Sequence, residues 1–338
     1  MVAFLHKPYM VVARDHNGKK KTVRTPLIAG IFWLGSLSSA PAHAGCGSAF
    51  CTVNADWGTQ GLWTEPGGRV DLRFEFIDLK QPKQGATKVD LGQVPEETEE
   101  IQTINRNWVA AFDYNFDGHW GVNLTVPLVN RYHHHVADAE DDPTPEQWSF
   151  TELGDIRVQG RYRFTLSADG PVSAGVALGL KFPTGSFTVT NSEGVAAERM
   201  LQPGTGTTDL LITGFLTRPL GPQDSIFVQL SFEAALDSRD QYRPGNRTYL
   251  NIGYNRWLTS RIGLQLQLNF AFKRPEEGNN AEPEVSGGKY VFFSPGISFD
   301  LSHAWQVYAY LQLPIYQYVN GVQLTADWAA LAGVAWRF

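Results

Sequence analysis

Three consecutive histidines followed by acidic residues give this sequence its clearest potential for metal chemistry. His133-His134-His135 precede Asp138 and the run Glu140-Asp141-Asp142. In an extended segment His133 and His135 project to the same side, and imidazole nitrogens are ligands for Zn²⁺, Cu²⁺ or Ni²⁺. The pattern therefore predicts a candidate divalent-metal site at His133, His135 and Asp138. A solvated acidic loop with incidental histidines explains the same residues equally simply.

The same region offers a serine and a histidine, the residue types of a hydrolase. Ser149 follows His135 by 14 residues, and Asn130 lies just before the histidines. The sequence holds neither a Gly-x-Ser-x-Gly elbow nor the His-x-Ser spacing of outer-membrane phospholipases. A loose serine and histidine are common in any loop, so the sequence favours a protein that is not an enzyme.

Two cysteines could carry redox or metal chemistry. Cys46 and Cys51 are separated by four residues. Nearby cysteines of an exported chain most often pair, so we expect a Cys46–Cys51 disulfide that fixes the N-terminal segment. A pair of free thiols or a metal pair is the alternative.

The N-terminus has the layout of an export signal. A basic cluster at Lys19-Lys20-Lys21 and Arg24 precedes the apolar core 27–35, and Ala42-His43-Ala44 supplies small residues two apart. This order predicts a cleaved signal peptide over residues 1–44, with a short anchor helix as the alternative. Residues 1–44 hold six Lys/Arg and one Asp, so their removal lowers the net charge from −6 to −11. Such a charge argues against nucleic-acid binding.

Hydrophobic residues of the 338-residue chain alternate with a period of two from Arg69 onward. Val70, Leu72, Phe74 and Phe76 are separated by polar residues, and the pattern predicts strands with one apolar and one polar face. Twelve such segments of about 10–14 residues exceed the usual soluble strand and suit a membrane crossing. They are 69–78, 106–116, 119–128, 154–165, 171–182, 208–217, 225–236, 247–257, 261–273, 289–300, 304–315 and 325–338. Merging or splitting one pair would give 10 or 14 strands.

Connections between these segments alternate between short turns and long polar loops. The long ones, 79–105, 129–153, 183–207 and 274–288, are typical of the outer side of a transmembrane barrel. The sequence therefore predicts an all-β fold: a transmembrane antiparallel up-and-down β-barrel of about 12 strands over residues 69–338, after a periplasmic segment 45–68. A soluble all-β domain is the alternative. Whether residues 45–68 enter the lumen stays open.

The expected partners follow from this architecture. Aromatic residues at strand ends favour the membrane–water interface, so outer-membrane lipid should surround the barrel. Alternating Ala332, Val334, Trp336 and a terminal Phe338 are similar to the C-terminal signal that the barrel-assembly machinery reads. Acidic loops, including 96–100 and 276–284, could reach lipopolysaccharide phosphates through divalent ions, or simply be solvated. The oligomeric state is open.

Charged residues on the polar faces should line the lumen. Strand 154–165 presents arginines two residues apart, a ladder that could attract anionic or aromatic carboxylate solutes; structural salt bridges are the alternative. The predicted lumen residues are Arg73, Arg157, Arg161, Arg163, Lys181, Asp71, Glu75, Asp113, Asp209 and Glu233.

Short turn-rich motifs carry a family resemblance. Gly179–Gly185, Leu201–Asp209 and Leu153-Gly-Asp155 resemble motifs of the outer-membrane family named for the meta-pathway of phenol degradation, over roughly residues 61–338. The resemblance implies an outer-membrane channel or transporter and supplies no catalytic residues. Pro183, Gly185, Gly204 and Gly206 form turns at the outer rim, which either shape a long hairpin or fold inward to narrow a pore.

Together these observations favour passage of a small, aromatic, hydrophobic or anionic solute through the barrel. A structural barrel without transport, a surface receptor and a metal-binding barrel are the alternatives, and an outer-membrane hydrolase is the least favoured. No cofactor is expected apart from the divalent metal at His133 and His135.

Overall fold

The structure is a computed structural model that describes residues 13–14, 20–21, 45–46, 51–94, 98–137, 139, 143–165 and 172–338. The chain divides into two units, Met1–Ala40 and Pro41–Phe338. Within the first, Ala13–Arg14 pairs antiparallel with Lys20–Lys21. The apolar core and the Ala42-His43-Ala44 motif of the predicted signal peptide lie outside the described residues, so the signal peptide stays a prediction. Among the described residues, no helix has the length and apolar character needed to span a bilayer.

The second unit is built from long antiparallel strands. In chain order they are β1 (Gly67–Gly85), β2 (Glu99–Asn115), β3 (Trp120–Ala137), β4 (Thr144–Leu153), β5 (Ile156–Thr165), β6 (Ser173–Phe182), β7 (Asp209–Pro219), β8 (Asp224–Ala235), β9 (Arg247–Trp257), β10 (Ile262–Lys273), β11 (Gly288–Asp300) and β12 (Trp305–Arg337). Smaller elements are the Thr87–Lys88 ladder on β1, the Gly45–Cys46 ladder on β12 and a 3₁₀ turn at Pro283–Val285.

Three of these elements, β4, β5 and β12, do not correspond to single barrel strands. β12 is a hairpin: residues 305–319, its first arm, pair with β11, while residues 322–337, its second arm, pair with β1. The Arg337 N–H donates to the Ala304 carbonyl at 2.8 Å across this hairpin, and Gly321 turns it with φ of +59°. Conversely, β4 and β5 both pair with β3 and form one wall strand interrupted at residues 154–155.

The barrel closes between its first and last strands. The second arm of β12 pairs with β1 from Val322 to Arg337, and Phe338 and Gly68 exchange reciprocal backbone hydrogen bonds of 2.8 and 2.9 Å. When β4 and β5 count as one strand and β12 as two, the described residues form a closed antiparallel barrel of twelve strands. The predicted all-β barrel and its strand count are thus confirmed. Closure pairs the backbone groups of both edges, as lipid surroundings require.

The faces of the strands are the reverse of those in a water-soluble protein. Leu178 on β6 and Ile297 on β11 point outward and are exposed, whereas Asp71, Gln267 and Asn269 point inward and are buried. Lipid is the surrounding in which large outward apolar side chains are stable, because it leaves them out of water. The alternation seen in the sequence therefore maps apolar residues outward and polar residues inward.

Several strand boundaries differ from the sequence-based prediction. Residues 79–85 and 99–105 belong to β1 and β2, and the predicted loop 129–153 consists largely of the end of β3 and all of β4. These extensions carry polar residues on both faces, so hydrophobic alternation did not reveal them. Short connections 116–119, 220–223, 258–261 and 301–304 lie at the end of the barrel that holds both Gly67 and Phe338, and the longer loops lie at the other end.

Aromatic rings mark two levels on the outer surface. Trp336 stacks on Trp305 and Phe338 near the short-turn end, while Trp328 packs against Phe76 higher up. Trp328 and Trp336 are eight positions apart, which corresponds to about 27 Å along the strand, or about 20 Å across a membrane at the usual tilt. This spacing is comparable with the apolar band of such barrels.

The position of this band can be tested with two leucines of equal exposure. Leu178 is 57% exposed in the middle of β6, and Leu220 is 56% exposed in the short turn after β7. We expect Leu178→Arg to lower the free energy of unfolding in phospholipid vesicles by about 2–4 kcal/mol and Leu220→Arg by about 1 kcal/mol or less, because the penalty depends on depth. Urea titration followed by tryptophan fluorescence measures both; equal losses would contradict a lipid-facing band at β6.

Candidate functional site

The segment before β1 lies inside the barrel. Trp57 is fully buried, with the guanidinium groups of Arg69 and Arg337 at 5.6 and 5.8 Å from its ring. Asn54 exchanges two hydrogen bonds with Gln267 of β10, one from its backbone N–H and one to its carbonyl. The sequence left open whether this segment enters the lumen. The structure places residues 51–66, hereafter the plug, among the inward polar side chains.

Hydrogen bonds to the plug come from strands all around the barrel. The Glu75 carboxylate accepts the Cys51 N–H, and Arg163 donates to the Gly58 carbonyl at 2.7 Å. Others come from Asn115 of β2, Thr217 of β7, Gln229 of β8 and Gln312 of β12. Since buried polar groups must be paired, the plug and the polar inner wall satisfy each other.

Two of the three arginines in the predicted ladder hold this plug. Arg161 lies 3.5 Å from Asp56 of the plug and 3.7 Å from Asp113 of the wall. Arg163 donates to the plug backbone and is buried. Of the three, only Arg157 faces open space with a third of its side chain exposed. The arginine ladder is therefore divided between structural and accessible positions.

The predicted disulfide is wrong for this structure, in which Cys51 carries a free thiol. The Cys46 backbone pairs with Leu324 of β12, whereas the Cys51 thiol lies 3.9 Å from the Ala330 carbonyl. Leu324 and Ala330 are six positions apart on β12, which corresponds to about 20 Å along a strand. The Cα atoms of a disulfide lie within about 7 Å of each other. The two cysteines therefore lie beside different parts of β12.

A charge network at the start of β1 joins four of the predicted lumen residues. Arg73 pairs with Glu75 at 2.9 Å and lies 3.8 Å from Asp71. Asp71 also accepts the Tyr308 hydroxyl at 2.8 Å, and Arg69 lies 2.9 Å from Asp71 and 3.8 Å from Asp113, which links the two acids. The acids are buried beneath the arginine, whose side chain remains partly exposed.

A second network of ion pairs connects the inward faces of β5, β8 and β9. Arg157 makes a two-pronged contact with Glu233, at 2.9 and 3.2 Å, and Arg247 approaches the same carboxylate at 3.6 Å. Arg157 and Glu233 are among the predicted lumen residues, whereas Arg247 is not. Arg247 begins β9 and has no flanking alternation on its N-terminal side that would reveal its direction.

Lys181, Asp155 and Asp209 anchor the rim loop 183–208. The Lys181 ammonium lies 2.9 Å from both carboxylates, and Asp155 also accepts the backbone N–H groups of Gly185 and Thr205 at 3.0 Å. The motif residues that carry the family resemblance thus meet in one buried cluster.

Close backbone contact explains the glycines of this loop. A Cβ on Gly204 would lie 2.5 Å from the Gly185 carbonyl oxygen, and Gly206 has φ of +73°. The turn Pro183-Thr184-Gly185 is fixed by the Thr184 hydroxyl, which donates to the Gly154 carbonyl. These turns hold the loop against the wall where β4 and β5 are interrupted.

From these anchors the loop extends over the lumen. A cavity of about 390 Å³ lies between the loop, the plug and the inner wall. The loop contributes Arg199, Met200 and Gln202 to its lining, and the wall contributes Arg73, Arg157, Glu233, Arg247, Tyr249, Lys273 and Tyr290. The loop therefore lines the cavity as well as connecting β6 to β7.

The histidine segment is part of β3 rather than a solvated loop. His133 and His135 are buried on the inward face, with Trp148 of β4 against both rings. Asp138 lies outside the described residues. Ser149 pairs with Tyr132 and is exposed on the outward face, so His135 and Ser149 point to opposite sides of the sheet and do not form a catalytic pair.

Acidic residues of the predicted outer loops are partly buried. Glu100 and Glu276 are both less than a tenth exposed. Tyr242 donates to the Glu276 carboxylate at 2.6 Å, and burial raises the pKa of Glu276 to about 7. These two carboxyl groups are therefore not simply solvated, which was one of the two interpretations of the acidic loops. Glu96 and Glu97 lie outside the described residues.

Comparison with known proteins identifies the fold. No family model matches the chain, and no curated protein sequence matches it. A solved outer-membrane channel from Pseudomonas putida F1 is similar in structure, with a TM-score of 0.61 and 9% identity over 82% of this chain and 97% of that one. The NanC porin superposes with a TM-score of 0.46 (7% identity, 80% and 100% coverage). The CymD monoaromatic hydrocarbon channel gives 0.43 (8% identity, 86% and 95% coverage). This chain has the fold of an outer-membrane β-barrel channel, as the resemblance implied.

The anchor of the rim loop can be tested at Asp155. We expect Asp155→Asn to lower the free energy of unfolding by about 3 kcal/mol or more, because it leaves the buried Lys181 with one carboxylate in place of two. The control Asp237→Asn removes an exposed carboxylate that accepts one backbone N–H and should cost about 1 kcal/mol or less. Urea unfolding in micelles measures both, and equal effects would contradict the anchoring role.

Glu276 should make stability depend on pH. The pKa of this carboxyl is raised from 4.5 to about 7 on folding, so the folded state favours its protonated form. Stability is then lost as pH rises from about 4.5 to about 7, by about 3 kcal/mol at most. We expect Glu276→Gln to flatten this decline between pH 5 and pH 8, and the exposed neighbour Glu277→Gln to leave it unchanged. A decline that persists in Glu276→Gln would assign it to another group.

Proposed function

We propose that this barrel conducts small organic anions that have an aromatic or apolar body. The observation that carries the proposal is an asymmetry of exposure within the ion pairs that face the cavity. Arg157 and Arg247 are 34% and 28% exposed, whereas their shared partner Glu233 is 6% exposed. Arg73 is 20% exposed above Asp71 and Glu75, which are at most 3% exposed. The cations therefore form the accessible surface of each pair.

This asymmetry gives an electropositive cavity even though acids and bases are nearly balanced. Charges at the surface of a water-filled cavity act on a solute more strongly than charges buried behind them. Guanidinium groups also bind carboxylates with two hydrogen bonds and stack on aromatic rings. Tyr249 and Tyr290 contribute aromatic surface to the same cavity, which supports selection of an aromatic carboxylate over an inorganic anion.

The size of the cavity and the position of the plug define the route. A volume of about 390 Å³ lies within the range of small-molecule sites. A solute would enter between the long loops, which in barrels of this fold face outward, and would meet the arginines before the plug. Passage to the short-turn end then requires the plug to move. Many of its contacts are hydrogen bonds and ion pairs that water can replace, whereas the packing of Ala55 and Trp57 against Tyr308 must separate for such movement.

The proposal rests on the outer-membrane channel fold together with this cavity. A barrel that binds an outside ligand without conducting it has the same fold. Conductance distinguishes the two, since a receptor or a purely structural barrel would be electrically silent.

Ion selectivity in planar bilayers tests the proposal. We expect a preference for benzoate over a cation of similar size in the wild type, and a lower preference in Arg157→Gln and Arg247→Gln because each removes an exposed positive charge. Glu233→Gln should shift the reversal potential the opposite way, toward stronger anion preference. The control Lys289→Gln removes an exposed outward charge that lies over Tyr318 and should change nothing. A wild-type barrel without conductance, or variants with unaltered reversal potentials, would refute the proposal.

A further inference from the structure

Neighbouring strands bring histidine and glutamate side chains together at the loop end of the barrel. In the register of the sheet, His135 of β3 lies between Glu100 of β2 and Glu146 of β4. The next inward row places His133 between Thr103 and Trp148. With Glu198 from the rim loop, the residues Glu100, His133, His135, Glu146 and Glu198 form what we call the histidine cluster. It is separate from the cavity arginines.

The two imidazoles face each other across a short gap. His133 Nε2 lies 3.3 Å from His135 Nδ1, and the ring planes are nearly perpendicular at 88°. The remaining nitrogens are held from outside: His133 Nδ1 lies 2.8 Å from the Thr103 hydroxyl, and His135 Nε2 lies 3.1 Å from the Glu146 carboxylate. Two ring nitrogens at this distance require either a shared proton or a shared cation between them.

Carboxylates complete a set of donors around that gap. Glu100 Oε2 lies 3.5 Å from His133 Nε2, and Glu198 Oε1 lies 3.6 Å from His135 Nδ1. Donor atoms of Glu100, His133 and His135 all lie within 4.8 Å of one another. A tetrahedral ion with ligands at about 2.0–2.2 Å separates its donor atoms by about 3.3–3.6 Å. The distances among Glu100, His133 and His135 therefore suit three positions of such a site. Glu198, 3.6 Å from His135 Nδ1, reaches the fourth position after an adjustment of its side chain.

The electrostatics of the cluster also favour a cation. The carboxylates of Glu100, Glu146 and Glu198 all lie within 4.0 Å of the His135 ring nitrogens, and their side chains are at most 18% exposed. In the part of the chain that the structure describes, the ion pairs of Glu146 and Glu198 are with His135 and not with lysine or arginine. Bringing several acids into one buried region costs free energy that a divalent ion would offset.

We propose that the histidine cluster binds one Zn²⁺ ion. The ligands are His133 Nε2, His135 Nδ1, one oxygen of Glu100 and Oε1 of Glu198. Glu146 and Thr103 orient the two imidazoles through their other nitrogens, an arrangement typical of zinc-bound histidines. Trp148 covers both rings and limits access of water. Zn²⁺ suits this set better than Mg²⁺ or Ca²⁺, which take oxygen ligands.

Such an ion would connect the rim loop to the barrel wall. Three of the proposed ligands belong to β2 and β3, whereas Glu198 belongs to the loop 183–208. The adjacent residues Arg199 and Met200 line the cavity. Zinc would therefore fix the part of the loop that limits the cavity, without being part of the solute route.

Calorimetric titration of the untagged, chelator-treated barrel in detergent with ZnCl₂ tests binding directly. We expect one Zn²⁺ per chain with a dissociation constant below micromolar. His133→Gln and His135→Gln should each weaken binding by 100-fold or more, and Glu146→Gln by about 10–100-fold, the usual effect of losing an orienting carboxylate. His134→Gln is the matched control because His134 is the adjacent histidine on the opposite face; its affinity should equal the wild type. Heat-modifiable mobility on SDS gels verifies that each variant is folded.

Two further measurements decide the ligand set and its connection to the loop. Co²⁺ in place of Zn²⁺ should give the intense visible absorption of tetrahedral nitrogen and oxygen coordination. Zn²⁺ should slow tryptic cleavage after Arg199 in the wild type and have no effect in Glu198→Gln. Absence of heat with the wild type would show that the histidines share a proton only. Equal loss of affinity in His134→Gln would assign the metal to the outer surface, and either result would overturn the proposal.

Discussion

The whole molecule depends on the requirement that backbone and side-chain polar groups be paired away from lipid. Closing the sheet pairs the backbone N–H and C=O groups of its edge strands, and turning apolar side chains outward places them in lipid. The interior then receives nearly all the polar side chains of the strands, which need partners of their own. The plug and the rim loop supply those partners, so the contents of the lumen follow from the surroundings of the barrel rather than from a separate core.

Sequence alternation predicted much of this fold because lipid imposes a simple rule on each strand. It located the membrane-spanning parts of all twelve strands and the alternation of short and long connections. Alternation did not predict the parts of the strands that extend beyond the bilayer, because no lipid is present there to require apolar residues on the outer face. At residues 79–85 and in β4, both faces carry polar residues, and pairing with a neighbouring strand decides the structure instead. The His133–His135 segment was assigned to a loop for the same reason.

The sequence predicted which side chains of the candidate sites point inward, but it did not predict which residues they contact. Alternation indicates that Arg157, Arg161 and Arg163 point inward, yet nothing along β5 distinguishes the arginine that faces the cavity from the two that hold the plug. That distinction depends on where residues 51–66 lie, which is a long-range property. Likewise Glu198 lies in a loop without periodicity, and only folding brings it to His135.

The reciprocal bonds between Phe338 and Gly68 have a consequence for biogenesis. The wall becomes a cylinder only when the second arm of β12 pairs with β1, so this seam cannot form before both strands are in place. Residues 51–66 bond to strands on several sides of the lumen, so they are either enclosed when that last seam joins or threaded through an end of the barrel afterwards. Enclosure at the seam would give the inner polar groups of the strands their partners as they leave water, which makes the order of assembly as much a part of this protein as its contacts.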